Sequence, residues 1–186
     1  MIKKWKQLSK EYPYKSGLFG LRVDKCELPD GRVMPKYYTF EFPDWTNIIP
    51  LTSNGEMILV RQYRHAIGEV HLEIPGGSLT PSLKESPQEA ALRELLEETG
   101  YECEKVELVA SHQPNPAIQN NHIHTYIAYD CEKTSEVSLD PFEDLETIVL
   151  PVSDVIDKIM LGEIKHTIVV ASVLLGLKKL GYQLTR

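Results

Sequence analysis

The chain has 186 residues, which is long enough for one compact α/β domain with a hydrophobic core of its own. Its contents of 42% hydrophobic and 25% charged residues exclude a fibrous or an intrinsically disordered chain. With 20 basic and 27 acidic residues the formal net charge is −7, so the surface as a whole repels nucleic acid and anionic lipid. No nucleic-acid partner and no membrane partner is therefore expected.

The N-terminal segment and the cysteines indicate a reducing, cytoplasmic environment. The basic residues at the N-terminus are not followed by the apolar segment of a signal peptide, and no stretch approaches the roughly 18 apolar residues of a membrane helix. Cys26, Cys103 and Cys131 are odd in number and far apart, without the spacing of a zinc site or a disulfide framework. We therefore expect three free thiols that carry no function.

The first predicted element is a β-hairpin in the N-terminal part of the chain. Apolar residues alternate loosely with polar ones from residue 18 to residue 41, on both sides of the turn Pro29-Asp30-Gly31. We assign residues 1–44 to an N-terminal extension that contains this hairpin, and residues 45–186 to the main domain. The extension is either a small subdomain or an arm through which two copies associate.

The main domain begins with three predicted strands that lead into a glycine loop at Pro75-Gly76-Gly77. Its predicted elements, in chain order, are strands at 46–51, 57–63 and 70–74, a central helix at 87–99, strands at 105–111, 122–129 and 146–151, and helices at 153–161 and 165–180. Strands interleaved with helices indicate an α/β fold in which helices sandwich a sheet.

The central helix has clear start and stop signals. Ser86 is the predicted N-cap, Pro87 occupies the first helical position, and Glu89 completes a capping box. Gly100 marks the predicted end of the helix. The sequence therefore predicts a helix that runs from Pro87 to about Thr99.

Three glutamates of this helix, Glu94, Glu97 and Glu98, have the i, i+3, i+4 spacing of a shared face. We expect them to project from the side opposite a mainly apolar face formed by Leu92, Leu95, Leu96 and Thr99. Like charges at this spacing destabilise a helix by a few tenths of a kcal/mol per pair, and divalent cations such as Mg²⁺ or Mn²⁺ would offset that cost. A solvated acidic face is the alternative, and it is the commoner meaning of such spacing.

The wider pattern resembles the Nudix box, a loop–helix–loop signature of the Nudix hydrolase family. Its elements are Gly77, Glu85 and the run Arg93-Glu94-Leu95-Leu96-Glu97-Glu98-Thr99-Gly100-Tyr101. The spacer between Gly77 and Glu85 is two residues longer than in the family pattern, which a loop insertion explains. The resemblance implies a Nudix-like α/β/α sandwich with a mixed sheet, preceded here by the N-terminal hairpin.

The resemblance also implies roles for individual residues. Glu94, Glu97 and Glu98 would bind Mg²⁺ or Mn²⁺, together with a backbone carbonyl of the glycine loop at Gly76 or Gly77. Glu85 would support the metal site, either as a ligand or through its neighbours. Arg93 would orient a glutamate through an ion pair, so that Arg93, Glu97 and Glu98 form the helical part of the catalytic set.

An acidic loop before the last predicted strand completes the implied site. In the resembling enzymes a glutamate of this loop serves as metal ligand or general base, and Glu143 matches that position best. Asp144 and Glu146 remain alternatives, and so does a plain solvated turn.

Residues outside the box resemble the branch of the family that hydrolyses ADP-ribose and nucleotide sugars. The relevant stretches begin at Trp45, at Arg61-Gln62-Tyr63-Arg64 and at Glu73-Ile74-Pro75-Gly76-Gly77. By this resemblance Arg61 or Arg64 would contact a substrate diphosphate, and Glu73 and Trp45 would help to position the substrate. An ordinary ion pair is the alternative for Arg61.

The expected activity is metal-dependent hydrolysis of the pyrophosphate bond of a nucleoside diphosphate sugar or ADP-ribose, which gives a nucleoside monophosphate and a sugar phosphate. Two alternatives are hydrolysis of other nucleoside di- or triphosphate derivatives and a non-catalytic domain that senses nucleotide sugars. The N-terminal hairpin resembles the arms through which this branch forms homodimers. We therefore expect a homodimer that acts on a small nucleotide substrate.

Overall fold

A computed structural model describes residues 1–80 and 82–183. Pro81 of the lengthened loop before Glu85, and residues 184–186 of the assigned main domain, lie outside the described residues. The chain divides into two compact units. One contains Met1–Asp44 with Gln113–His122, and the other contains Trp45–His112 with the chain from Ile123 onward.

The first unit contains an antiparallel sheet of three strands in the order β1-β2-β3: β1 (Lys6–Lys15), β2 (Gly20–Glu27) and β3 (Val33–Glu41). The predicted hairpin is β2 and β3, joined by a turn in which Gly31 has a φ of 84°. The predicted hairpin is confirmed, and β1, which was not predicted, adds a third strand to it. Every residue of β1 is exposed, so the segment lacks the alternation of buried and exposed residues that identifies a strand in a sequence.

The second unit contains nine strands and three helices within the described residues. The strands are β4 (Trp45–Pro50), β5 (Glu56–Arg64), β6 (Glu69–Glu73), β7 (Gly76–Ser78), β8 (Tyr101–Glu102), β9 (Lys105–His112), β10 (Ile123–Tyr129), β11 (Glu132–Lys133) and β12 (Leu145–Pro151). The helices are α1 (Pro87–Thr99), α2 (Val152–Met160) and α3 (Thr167–Lys179). No helix among residues 1–80 and 82–183 has the length and apolar character needed to cross a membrane.

Two larger sheets form the middle of this unit. One has the order β7-β4-β10-β9 and is mixed, because β4 and β10 are parallel while the other pairs are antiparallel. The other is antiparallel with the order β12-β5-β6, and β8 pairs with β11 in a small separate ladder. The glycine loop of the sequence prediction thus contributes a short strand, β7, that pairs with β4.

The central strands are buried on both faces, since neighbouring residues of one strand belong to different hydrophobic clusters. Ile49 packs in the cluster formed with α2 and α3, whereas the preceding Ile48 packs in the cluster formed with α1. Leu59 and Ile58 of β5 alternate in the same way. Successive strand residues point to opposite faces, so the sheets lie between α1 on one side and α2 and α3 on the other. This confirms the predicted α/β/α sandwich.

Candidate active site

The carboxylate helix α1 begins and ends where the sequence predicts. The hydroxyl of Ser86 accepts a hydrogen bond from the Glu89 backbone at 3.3 Å, and the Glu89 carboxylate accepts one from the Ser86 backbone at 2.7 Å. At the other end Gly100 has a φ of 73°, and its N–H donates to the Leu96 carbonyl at 2.8 Å. Both ends of the helix are therefore capped, which holds the carboxylates in a defined place.

Two of the three helix glutamates are buried, which differs from the expected exposed carboxylate face. Glu94 and Glu98 are 9% and 4% exposed, while Glu97 is half-buried. The buried stripe of α1 also contains Ala91 and Leu95, so carboxylates and apolar side chains are not segregated on opposite sides. The glycine loop explains the difference, because it covers the side of the helix that the sequence analysis left to solvent.

Burial makes the ionised forms of these carboxylates unfavourable. It raises the pKa of Glu98 to about 8, helped by the negative charges of Glu94 and Glu143. It also raises the pKa of Glu94 to about 6, against the opposing effect of Arg93. The two carboxyl groups would therefore gain from a cation placed beside them.

The glycine loop lies directly against both carboxylates. The backbone N–H of Gly76 donates to Glu98 Oε2 at 3.1 Å. A Cβ at Gly77 would overlap the Glu94 carboxylate, and a Cβ at Gly76 would overlap the Thr46 carbonyl oxygen of β4. Only glycine at these two positions allows this approach, so the loop carbonyls and the helix carboxylates share one small region.

Arg93 connects the helix to the preceding loop through several carboxylates. It donates to both oxygens of Glu85 at 3.0 Å and to Glu97 at 2.8 Å, and one of its nitrogens lies 3.0 Å from Glu94. The hydrogen bonds from Arg93 lower the pKa of Glu85, which also accepts the Thr80 N–H at 3.1 Å. The predicted ion pair of Arg93 is thus part of a network that fixes three glutamates.

The oxygen-rich composition of this region fits a hard divalent cation such as Mg²⁺ or Mn²⁺. Within the described residues, no three His, Cys, Asp or Glu side chains already converge as a complete ligand set. Glu94 and Glu98 both lie against the glycine loop, and the negative charge of Glu94 raises the pKa of Glu98. The donor atoms therefore fit the metal, and the glutamate side chains would have to rotate to complete the ligand set.

Glu143 is the member of the acidic loop that lies nearest to the helix carboxylates. Its side chain is half-buried and its negative charge raises the pKa of both Glu94 and Glu98. Asp144 and Glu146 are exposed, and Glu146 accepts an ion pair from Arg61. Among the three candidates for this role, the geometry favours Glu143.

A cavity of about 370 Å³ opens beside the glycine loop. Its lining residues come from β4, the end of β5, β6, the glycine loop, the start of β10 and the start of α3, and they include Trp45, Asn47, Arg64, Glu73, Gly76 and His166. Of the residues predicted to contact substrate, Trp45, Arg64 and Glu73 all reach this cavity.

Glu73 is a buried carboxylate that lines the cavity, and both of its oxygens accept hydrogen bonds. Arg64 donates to its two oxygens at 2.9 and 2.8 Å, and His166 Nδ1 lies 2.8 Å from Oε2. Burial alone would raise the pKa of Glu73, but the hydrogen bonds from Arg64 and His166 outweigh it and lower the pKa to about 2. Because an ionised carboxylate only accepts, His166 Nδ1 is the donor, and in the neutral ring Nε2 remains an acceptor.

Arg61 does not reach this cavity. Its guanidinium pairs with Glu146 at 3.0 Å on an exposed surface, and its side chain lines a separate depression. The alternative interpretation of Arg61 as an ordinary ion pair is therefore the one that fits, and Arg64 is the better candidate for substrate contact.

His166 and Asn47 line the cavity but were not predicted to contact substrate. His166 lies at the N-cap of α3, 93 residues from its partner Glu73, and no local pattern links the two. Asn47 left a signal, because it is an amide side chain that directly precedes the apolar run Ile48-Ile49-Pro50 of the same strand. Its amide donates to Ser172 Oγ at 3.0 Å, and its Oδ1 is buried with no hydrogen-bond partner among the described residues.

The comparisons with known proteins agree with this arrangement. Residues 43–169 match the model of the Nudix domain, and residues 5–40 match the model of the nucleoside diphosphate sugar hydrolase N-terminal domain. A solved structure described as an ADP compounds hydrolase has the same fold, with a TM-score of 0.83, 24% identity and coverage of 97% of this chain and 98% of that one.

Two relatives cover most of their own length and of this chain. A Bacillus methanolicus protein named methanol dehydrogenase activator is 33% identical over 83% of this chain and 82% of its own. A Bacillus subtilis protein named ADP-ribose pyrophosphatase is 29% identical over 78% of each chain. The family model spans well over half of the sequence and includes the carboxylate helix and the glycine loop. The chain belongs to the Nudix family and is a Nudix hydrolase.

Proposed function

We propose that the protein hydrolyses the diphosphate bond of ADP-ribose or a nucleoside diphosphate sugar, and that the reaction depends on Mg²⁺ or Mn²⁺. The observation that carries the proposal is the burial of Glu94 and Glu98 against the glycine loop, whose residues Gly76 and Gly77 also line the cavity. The relative named ADP-ribose pyrophosphatase and the match to the nucleoside diphosphate sugar hydrolase N-terminal domain support the choice of substrate.

The reaction adds water across a P–O–P linkage. The water oxygen bonds to one phosphorus, the bridging oxygen leaves with the other, and the products are a nucleoside monophosphate and a sugar phosphate. Glu94, Glu97 and Glu98, with a carbonyl at Gly76 or Gly77, would hold the divalent cation. Such a cation, when bound, neutralises phosphate charge and lowers the pKa of water.

The protein groups around the carboxylates have separate tasks in this proposal. Arg93 positions Glu97 and Glu85, so that their oxygens keep a fixed orientation. Glu143, from the loop before β12, accepts a proton from the attacking water. Its half-buried position near Glu94 and Glu98 supports that assignment over the exposed Asp144 and Glu146.

The cavity is suited to one of the two groups that flank the diphosphate. Its charge is largely balanced, because Glu73 neutralises Arg64, and its other walls include Trp45 and isoleucine side chains. Such a cavity suits an uncharged sugar or base better than a further phosphate. His166 Nε2 and Asn47 Oδ1 are the acceptors available for its hydroxyl or amino hydrogens.

The test is a substrate panel analysed by chromatography of the phosphate products, with and without Mg²⁺. ADP-ribose, ADP-glucose, GDP-mannose, a dinucleotide and a nucleoside triphosphate would be compared at equal concentration. The proposal expects cleavage of at least one diphosphate sugar to a monophosphate pair, only when the metal is present. Absence of turnover with every substrate in either metal would contradict it, and preference for the triphosphate would favour the alternative activity.

We also propose that the protein is a homodimer in which the sheet β1-β2-β3 contributes the contact. Several large apolar side chains of that sheet are exposed, among them Leu8, Tyr12, Tyr14, Val33 and Tyr38. Exposed apolar surface of this kind is usual for a protein interface. Light scattering should give twice the monomer mass of 21.2 kDa. A particle of the monomer mass, or a dimer that survives Leu8→Lys and Tyr38→Lys together, would contradict the proposal.

A further inference from the structure

The structure brings together two cysteines that are 28 positions apart in the sequence, Cys103 and Cys131. In the antiparallel ladder of β8 and β11, Glu102 lies opposite Glu132 and Tyr101 lies opposite Lys133. In an antiparallel ladder, the next residue along one strand faces the preceding residue of its partner. Cys103 and Cys131 therefore occupy facing positions immediately beyond the last pair.

The hydrogen bonds of the ladder identify the type of this pair. The N–H of Thr134 donates to the Gly100 carbonyl at 2.9 Å, which places residues 100 and 134 at a hydrogen-bonded position of the ladder, although the Gly100 N–H itself donates to Leu96. Hydrogen-bonded and non-hydrogen-bonded pairs alternate, which makes Cys103 and Cys131 a non-hydrogen-bonded pair. In agreement, the Cys131 N–H points away from β8 and donates to the Leu51 carbonyl at 2.8 Å.

Facing residues of a non-hydrogen-bonded pair have Cα atoms about 4.5 Å apart, which is within the range that a disulfide spans. Cys131 belongs to the hydrophobic cluster that includes Ala91 and Leu95, and Cys103 packs against the same cluster. Cys131 is buried and Cys103 is partly exposed. An oxidant can therefore reach Cys103, while Cys131 lies behind it as the second thiol.

The two thiols also differ in acidity. The hydrogen bond with Cys131 lowers the pKa of Cys103, whereas the same bond, together with burial, raises the pKa of Cys131. The thiolate is the nucleophile in thiol oxidation. This asymmetry suits Cys103 to the first step and Cys131 to the second.

We propose that Cys103 and Cys131 are a redox-active pair that closes to an intrachain disulfide when the protein meets a peroxide. This modification site does not depend on the proposed hydrolysis. It replaces the expectation of three thiols without function, because strand pairing makes neighbours of residues that the sequence separates.

The reaction balances with one peroxide per disulfide. The Cys103 thiolate attacks a peroxide oxygen, the O–O bond breaks, and the departing oxygen leaves as water after taking a proton. The resulting sulfenic acid is attacked by the Cys131 sulfur, the S–O bond breaks, and the oxygen leaves as a second water with the Cys131 proton. Two thiols and one hydrogen peroxide thus give one disulfide and two water molecules.

The disulfide would brace the C-terminal end of α1. The chain that follows Cys131 supplies partners for the last carbonyls of that helix, since Thr134 N–H donates to Gly100 and Ser138 N–H donates to Glu97 at 2.9 Å. Anchoring Cys131 to Cys103 holds this segment in place. The bond also closes a loop of 29 residues, 103 to 131 inclusive, which restricts the unfolded chain.

The experiment treats the full-length protein with hydrogen peroxide, alkylates the remaining thiols, and locates cross-linked peptides by mass spectrometry. Before alkylation, we expect the intact mass to fall by the mass of two hydrogen atoms. A single pair of linked peptides should join Cys103 to Cys131, and the link should be lost after treatment with dithiothreitol. The midpoint of thermal unfolding should rise by roughly 5–10 °C. Hydrolysis should be unchanged, because neither cysteine belongs to the proposed catalytic set.

Cys26→Ser is the matched control and should retain both the cross-link and the thermal shift. Cys103→Ser should lose both, and this partly exposed position keeps the test valid if the buried Cys131→Ser variant fails to fold. Oxidation of Cys103 to sulfinic acid without a cross-link would overturn the proposal. A cross-link that involves Cys26 would also overturn it. So would an oxidised wild-type protein whose midpoint of thermal unfolding equals that of oxidised Cys103→Ser.

Discussion

Glu73 lines the cavity, and Glu98 accepts a hydrogen bond from the glycine loop that also lines it. Both glutamates are buried, yet their surroundings shift their pKa values in opposite directions. Two hydrogen bonds from Arg64 and one from His166 outweigh the effect of burial at Glu73, whose pKa falls to about 2. At Glu98 burial is reinforced by Glu94, only one backbone N–H donates to it, and the pKa rises to about 8.

The difference distinguishes Glu73, a structural charge that stabilises the fold, from Glu98, a candidate metal ligand. Glu73 is satisfied by protein groups, so its ionised form stabilises the folded state. Glu98 and Glu94 are buried together, and Arg93 offsets the effect of burial at Glu94 only in part, so ionisation of both costs stability. Clusters of this second kind are typical of functional sites, because a ligand can supply the missing charge.

The largest effect is expected for Glu98→Gln. This change keeps the shape of the side chain and its hydrogen bond from Gly76, but removes the charge that would hold the cation. We expect kcat to fall by roughly two to four orders of magnitude. Relative to wild type, the free energy of unfolding without metal should increase as the pH rises from about 4.5 to about 8 and level off above, because the wild-type carboxyl group with its raised pKa resists ionisation in the folded state and the amide does not ionise.

Glu104→Gln is the matched control, since Glu104 is exposed beyond the end of α1. It should change neither rate nor stability. If Glu98→Gln retained the wild-type rate, the metal site would lie elsewhere in the chain.

Glu73→Gln should have the opposite profile, with a large loss of stability. It leaves Arg64 and His166 without their carboxylate, and we expect a loss of about 2–3 kcal/mol, less than for a fully buried pair because Arg64 is half exposed. The midpoint of thermal unfolding would fall by roughly 5–10 °C at pH 7. Because the pKa of Glu73 is lowered in the folded state, its contribution is present above about pH 4.5 and is lost as the pH falls towards about 2.

The exposed ion pair of Glu69 with Lys165 provides the comparison for this variant. Glu69→Gln should leave the free energy of unfolding almost unchanged, because its ion pair lies in solvent. Equal effects of Glu69→Gln and Glu73→Gln would show that the Glu73 cluster is not the structural charge described above.

A smaller effect is expected for His166→Ala, which tests substrate binding in the cavity and not the metal site. We expect KM to rise by roughly 2- to 13-fold, with little change in kcat, because one neutral hydrogen bond to the flanking group is worth about 0.5–1.5 kcal/mol. His166→Asn restores a donor to Glu73 but not the Nε2 acceptor, so it should recover stability and leave KM raised. A fall in kcat without a change in KM would place His166 in the chemical step instead.

The smallest effect is expected for Arg61→Ala. Its ion pair with Glu146 lies in solvent, so its removal should change stability by less than about 1 kcal/mol and KM by less than about twofold. Arg64→Ala is the informative comparison, because Arg64 lines the cavity. If Arg61→Ala raised KM as strongly as Arg64→Ala, the assignment of the substrate contact to Arg64 would be wrong.

The sequence predicts the helix and its ends well, because capping and terminating residues act within a few positions of one another. It also predicts the central strands, whose apolar runs are buried on both faces. It does not predict β1, which is exposed throughout and has no apolar period.

Contacts between distant segments explain the remaining differences. The burial of Glu94 and Glu98 depends on where the glycine loop folds, and the pairing of Glu73 with His166 joins β6 to α3. The pairing of Cys103 with Cys131 depends on the register of two strands of two residues each. None of these relations has a local periodicity, so spacing arguments about single elements do not find them.

The most direct test of the metal site is calorimetric titration of the wild-type protein and of Glu98→Gln with Mn²⁺ across a range of pH. Protons must leave Glu94 and Glu98 before a cation binds, so wild-type affinity should rise roughly tenfold per pH unit for each released proton between about pH 6 and 8, and level off above. Titration in buffers of different ionisation enthalpy would count those protons. Glu98→Gln should bind more weakly and with a flatter pH dependence. Equal binding by the two proteins, or wild-type affinity that does not change with pH, would contradict the assignment of Glu98 and Glu94 as the metal ligands.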